Sequence, residues 1–232
     1  MKTLNIVHLY PNELNLYGDT GNVVCLSHRA KKRGFGVKII PLGIGDRLCD
    51  FDLLFIGGGQ DREMEIISSD LRKKSDALAY CISQYKVVLA ICGGYQILGE
   101  YYLSQSGEKM NLSSVLPFYT VSGSKRMIGN IIFDTPAGKV VGFENHSGKT
   151  YLSETLQPLG RVISGYGNNG EDGTEGLIYN NTYCTYAHGP VLPKNPTFAD
   201  KLLSLAIGSE QLEPIDDDIE NICHNSLIKR FR

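Results

Sequence analysis

The sequence predicts an α/β protein: a mostly parallel central sheet flanked by helices, with an antiparallel strand extension in its second half. Three observations carry this. Through the first half, short apolar, β-branched runs alternate with longer polar-apolar stretches, the pattern of parallel strands joined by crossover helices. After Cys92 the rhythm changes to closely spaced strand-like runs broken by Gly, Asn and Asp. The chain has 232 residues, 42% hydrophobic and 21% charged, enough to bury a real core, which excludes disorder, collagen and coiled coil. No internal repeat or linker divides it, so 1–232 reads as a single domain.

In chain order, strands are expected at 4–10, 36–42, 51–56 and 87–91, each apolar through its centre as befits strands covered on both faces. A helix over 20–33 has Val23, Val24, Ser27, Ala30 and Lys31 at helical spacing, and its basic last turn suits the macrodipole. A second spans 62–84, and a short one follows Cys92. Further strands fall at 116–121, 127–133, 140–143, 161–164, 176–179 and 182–187. Segment 165–173 has no apolar residue but Tyr166 and is rich in glycine, which predicts a loop, a mobile lid or a partner contact. Helices over 197–207 and 216–229 close the chain.

Net charge is −2, from 23 Lys and Arg against 25 Asp and Glu, with basic runs only at Lys31-Lys32-Arg33 and at the C-terminus. That argues against nucleic acid and anionic membrane and leaves small molecules or proteins as partners. No stretch approaches the ~18 apolar residues of a membrane helix. The six cysteines form no CxxC pair and mostly lie in apolar runs, as expected of reduced, buried thiols in a cytoplasmic protein. No metal-ligand set or nucleotide motif is present, so neither metal nor cofactor is expected on this chain.

The strongest chemical signal is Val87-Val88-Leu89-Ala90-Ile91-Cys92-Gly93-Gly94-Tyr95-Gln96, where a buried strand ends at a cysteine and a helix begins at once. Small neighbours at Ala90 and Gly94 let the chain bend sharply, the helix N-terminus favours a thiolate, and the turn aims the Gly93 N–H at an oxyanion. Cys92 therefore reads as a nucleophile. It needs a base, and of His8, His28, His146, His188 and His224 the best placed is His188, which ends a strand before Gly189-Pro190. His8 reads as a core residue, His28 and His224 as solvated. A second cluster, Gly57-Gly58-Gly59, follows another buried strand. Its backbone can approach a ligand closely and offer N–H groups to an oxyanion. A phosphate loop is the competing idea, but the Walker Lys-Ser/Thr and GxGxxG spacing are missing.

Taken together, Leu16-Tyr17-Gly18-Asp19-Thr20-Gly21-Asn22, Gly57-Gly58-Gly59-Gln60-Asp61-Arg62-Glu63, the Cys92 elbow, Gly142-Phe143-Glu144-Asn145-His146, Gly165-Tyr166-Gly167-Asn168-Asn169 and Ala187-His188-Gly189-Pro190 resemble the class I (triad-type) glutamine amidotransferases. The resemblance covers nearly the whole chain and is finest to the cobyric-acid-synthase-like branch, in particular to small glutaminase subunits that serve lipid II amidation. It implies a flavodoxin-like sheet, Cys92 as nucleophile, His188 as general base and acid, Gly58 and Gly93 as oxyanion donors, and Arg126 as the group that holds glutamine. An arginine suits that task because it grips a carboxylate bidentately. His146 also lies in a family motif and is expected to have a structural or rim function.

Many class I enzymes place a glutamate two residues after the histidine, and here Pro190 stands there. Proline cannot accept the imidazole N–H. Orientation must come from a backbone carbonyl, another acid of this chain, or a partner. The resemblance further implies L-glutamine as substrate and a heterodimer with a Mur-ligase-like, ATP-dependent subunit, on which ATP and Mg2+ would reside. Alternatives are a glutaminase serving another acceptor such as a cobyrinate-type corrinoid, a Cys-elbow hydrolase or chaperone of related fold, and a binding subunit without catalysis.

Overall fold

A computed structural model describes residues 2–231. The first half is built as β1 (Thr3–Leu9), α1 (Thr20–Lys32), β2 (Gly36–Leu42), β3 (Leu53–Ile56), α2 (Asp61–Ser83), β4 (Val87–Ile91) and a single turn, α3 (Gly93–Gln96). Strands β5 (Tyr101–Leu103), β6 (Lys109–Asn111), β7 (Phe118–Thr135), β8 (Gly138–Leu152), β9 (Gly160–Ser164), β10 (Thr174–Glu175), β11 (Leu177–Tyr179) and β12 (Thr182–Thr185) follow, then α4 (Pro196–Ile207) and α5 (Asp218–Phe231).

Two sheets result. One has the order β11-β12-β4-β3-β1-β2 and is parallel except for β11. Strands β3 and β4 are buried at every position, which is what helices on both faces require of an uninterrupted apolar run. The other sheet is built on the long antiparallel pair β7–β8, with β9, β10, β5 and β6 attached. One cluster of buried apolar side chains runs through both, from Ile6 and Leu89 to Ile131 and Phe133.

Four expectations are corrected. The strands foreseen at 116–121 and 127–133 are one strand, β7, whose register against β8 shifts between Ser122 and Met127. The polar Gly-Ser-Lys-Arg stretch is thus an irregularity within a strand, not a break between two. The run at 182–187 belongs to the parallel sheet: β12 pairs with β4, and its four buried residues lack the alternation of a half-exposed strand. Segment 165–173 is no free lid. Asn168 and Asn169 are buried, Asn168 Nδ2 donates to Gly176 O at 2.9 Å, and Glu144 accepts the N–H groups of Tyr166 and Gly167 at 2.7 and 3.0 Å. All six cysteines are free, but only Cys92 and Cys184 are buried, with Cys49 and Cys223 exposed.

Helix α1 is tied to the C-terminal part by a buried guanidinium. Arg29 donates to Asp200 from Nε and Nη2 at 2.7 and 2.8 Å, and to Asp217 from Nη1 and Nη2 at 2.6 and 2.7 Å. Charge-assisted, paired bonds of this kind fix geometry as well as energy. They lock the helix whose N-cap is Asp19.

Candidate active site

Strands β1, β3, β4 and β12 all end at one edge of the parallel sheet, where open α/β folds place their sites. Four of the sequence-marked segments meet there. Cys92 follows β4 with φ 48° and ψ −107°, a left-handed backbone held by the strand-to-helix turn. Gly93 lies against the Gly57-Gly58-Gly59 loop so closely that a Cβ on it would stand 2.6 Å from Gly59 O and 2.8 Å from Gly59 N. The two glycine segments singled out by sequence are therefore one surface.

His188 is fully buried and reaches the same edge from β12, held by paired backbone bonds with Phe143 of β8. Its Nδ1 donates to Asp19 Oδ2 at 3.1 Å, and its Nε2 has no nitrogen or oxygen partner among the described residues. Burial alone would lower its pKa. Cys92 beside it and the Asp19 hydrogen bond outweigh burial and raise it well above the ordinary histidine value, to about 10. A proton on the ring is thereby stabilised next to the Cys92 sulfur.

Asp19 answers the question that Pro190 left open, since an acid of this chain holds the His188 ring. It stands at the N-cap of α1, where the helix dipole favours a carboxylate, and it is fully buried. Pro190 instead packs on Gly21 in the first turn of that helix, with its Cγ only 2.3 Å from where a Cβ would sit. In the sequence Asp19 stands only as one residue of the Leu16–Asn22 motif. The partner lies 169 positions away, and nothing local announces it.

The role expected of Gly58 needs correcting. The Gly58 N–H donates to Asp19 Oδ2 at 2.8 Å, so it is committed to the carboxylate rather than to a substrate oxyanion. A Cβ at Gly58 would be 2.4 Å from His188 Cε1, which explains a glycine there. The neighbouring Gly59 N–H has no acceptor among the described residues and faces Gly93.

A cavity of about 250 Å3 opens onto Cys92, and Gly59, Gln96, Arg126 and His146 line it. Arg126 lies in the irregular part of β7, its Nε donating to Asn145 Oδ1 and its Nη2 to Asn145 O at 3.4 Å, with no partner for Nη1 among the described residues. Asn145 in turn donates to the Tyr17 hydroxyl, whose ring stands edge-on to His188 at 5.1 Å. His146 is buried in the wall, stacked on Tyr186 at 3.7 Å, with Nδ1 bonded to Gly148 O at 2.8 Å. Below it, Gln96 donates to the Tyr186 hydroxyl at 3.0 Å.

The remaining histidines stand apart from Cys92. His8 is buried against Phe55, and burial, partly opposed by Asp19, lowers its pKa to about 4. His28 is exposed, and His224 bonds Lys194 O at 2.9 Å.

A sequence profile for the CobB/CobQ-like glutamine amidotransferase domain matches residues 5–196. The chain is 40% identical, over 99% of its length and 97% of the relative's, to the lipid II isoglutaminyl synthase (glutamine-hydrolyzing) subunit GatD of Staphylococcus aureus. It is 42% identical to the subunit of the same name from Streptococcus pneumoniae, over 88% of this chain and 80% of that one. Among solved structures, PurLQS from Thermotoga maritima superposes with a TM-score of 0.59 at 17% identity, over 89% of this chain and 98% of the other, a likeness of fold.

Proposed function

This chain belongs to the CobB/CobQ-like glutamine amidotransferase domain family, and on that premise we propose that it is the glutaminase subunit of a two-part synthase that amidates the D-glutamate α-carboxylate of lipid II. The observation that carries the reaction is Cys92 in strained backbone beside a histidine with a buried acid on its far nitrogen. The acceptor rests on the whole-length likeness to the two GatD subunits.

In this reading the Cys92 thiolate adds to the carboxamide carbon of L-glutamine, and the N–H groups of Gly59 and Gly93 receive the oxyanion. His188, held by Asp19, gives its proton to the departing nitrogen, so ammonia leaves and a γ-glutamyl thioester remains. The now neutral imidazole takes a proton from water as hydroxide equivalent attacks the thioester, which releases glutamate and regenerates the thiolate. Arg126 holds the substrate α-carboxylate with its Nη1.

Ammonia would be protonated and lost in bulk water, so a Mur-ligase-like partner receives it under cover and supplies the ATP and Mg2+ that activate the acceptor. Among the described residues no helix is long and apolar enough to cross a membrane. The cytoplasmic setting rests on the reducing conditions that a thiolate nucleophile and six free cysteines need.

The test is glutamate release from L-glutamine by the full chain, alone and with the Mur-ligase-like protein of the same organism, with Cys92→Ala as blank. Because Asp19 comes from this chain, Cys92-dependent release is expected without the partner. Absence of such release in both settings would overturn the reading. With ATP, amide-15N glutamine should label the lipid II stem peptide, and glutaminase activity without that label would send the ammonia to another acceptor, such as a cobyrinate-type corrinoid.

A further inference from the structure

The mouth of the Cys92 cavity carries a second charged feature that the proposed chemistry does not use. Asp61 is the one carboxylate among the described residues that line the cavity. With Arg62 and Tyr102 it also lines an adjoining outer groove of about 680 Å3, which Cys92 and Gln96 do not reach. Residues shared by an inner cavity and an outer groove mark the opening between them. Asp61 therefore stands at the rim, on the first turn of α2, with Arg126 contributed to the same cavity by β7.

The Asp61 carboxylate is also aimed. Tyr102 donates its hydroxyl to Oδ2 at 3.1 Å, and Oδ1 has no partner among the described residues. Tyr102 itself is buried, so the bond fixes an exposed acid against a rigid side chain. A capping role alone does not account for this: the N-cap N–H of Gln60 is taken by Glu63 at 3.0 Å.

Building on the glutaminase reading, we infer that Asp61 receives the α-ammonium group of the substrate. A glutamine whose amide reaches Cys92 leaves its α-carbon at the rim, where two opposite charges diverge. Arg126 answers the carboxylate, and Asp61 answers the ammonium. The site thereby reads a free amino acid. A peptide-linked or acylated glutamine offers a neutral amide in place of the ammonium and leaves the Asp61 charge unpaired, and a site built for a polar group rejects an analogue that lacks it strongly.

Binding to full-length Cys92→Ala protein, measured by titration calorimetry, separates the possibilities because it needs no turnover. L-glutamine and glutaric acid monoamide, which has the carboxylate and side-chain amide but no α-amino group, are compared before and after Asp61→Asn. The expected result is at least a tenfold loss of glutamine affinity on the order of a charge-assisted hydrogen bond, with monoamide affinity changed less than about threefold. Equal losses for both ligands, or unchanged glutamine affinity, would overturn the role of Asp61 and leave the glutaminase reading standing. Failure of the parent protein to bind glutamine at all would overturn both.

Discussion

Two buried imidazoles serve the Cys92 site from different sheets, and the partners of their ring nitrogens set them apart. His188, from the parallel sheet, gives Nδ1 to the Asp19 carboxylate at 3.1 Å. His146, from the antiparallel sheet, gives Nδ1 to the carbonyl of Gly148, has the Glu144 carboxylate 3.7 Å from Nε2 without a hydrogen bond, and lies flat on Tyr186. A carbonyl fixes which nitrogen carries the proton, but a carboxylate hydrogen-bonded to the ring, as Asp19 is to His188 and Glu144 is not to His146, stabilises the second proton that a general base must accept. Proximity to a thiol therefore does not make a histidine the base. The group behind the ring does.

The largest expected effect removes that difference. Asp19→Asn keeps the size and a possible hydrogen bond but loses the charge, and the side-chain amide can donate to Nδ1 and impose the wrong tautomer. By analogy with the same change in a serine-protease triad, kcat should fall by roughly 10^2- to 10^4-fold with KM little altered. Asp19 is one of the influences that raise the His188 pKa, so the basic limb of the kcat profile should also move to lower pH. A merely structural acid would lower activity at all pH values without moving that limb. An unchanged limb would place the control of His188 elsewhere.

A smaller effect is expected at the other imidazole. His146→Phe preserves the stack on Tyr186 and the cavity wall while removing both ring nitrogens, so kcat should stay within about tenfold of the parent. The lost bond to Gly148 O is worth about 1 kcal/mol of stability. Loss of kcat comparable to that of Asp19→Asn would mean that proton transfer is shared between the two rings, and the comparison drawn above would collapse.

Much of this contrast was legible in the sequence, and the parts that were not have a common cause. Cys92, Gly93 and His188 announce themselves because strand, turn and glycine pattern are local signals. Asp19 and the buried Glu144 act on segments far along the chain, and a carboxylate in a glycine-rich loop looks the same whether it meets water or an imidazole. The choice between Gly58 and Gly59 in a run of three glycines depends on which N–H the Asp19 carboxylate captures, a question of register within one residue. Likewise β12 was misassigned to the antiparallel part because its sheet neighbour, β4, lies across the intervening strands of the second sheet.

The smallest effect on catalysis is expected on the ground between the two imidazoles, where the change is in stability. Glu175 is fully buried, and its Oε1 accepts from Thr185 Oγ1 at 2.5 Å and from the Tyr186 N–H at 2.7 Å, which shapes the turn into His188. Its Oε2 has no partner among the described residues. Burial, with Glu144 nearby, outweighs these bonds and lifts its pKa from 4.5 to about 7. The folded protein therefore holds a proton that the unfolded chain has released. This contribution to stability is fully present below pH 4.5 and is lost as pH rises through about 7, and it amounts to on the order of 3 kcal/mol. Glu175→Gln keeps an acceptor for Thr185 and Tyr186 but cannot ionise. Urea unfolding across that window should show stability declining with pH in the parent and a flatter profile in the variant, with the two curves diverging most above pH 7. Parallel curves would show that Glu175 ionises normally, and the approach to His188 would then be shaped by a charged carboxylate after all.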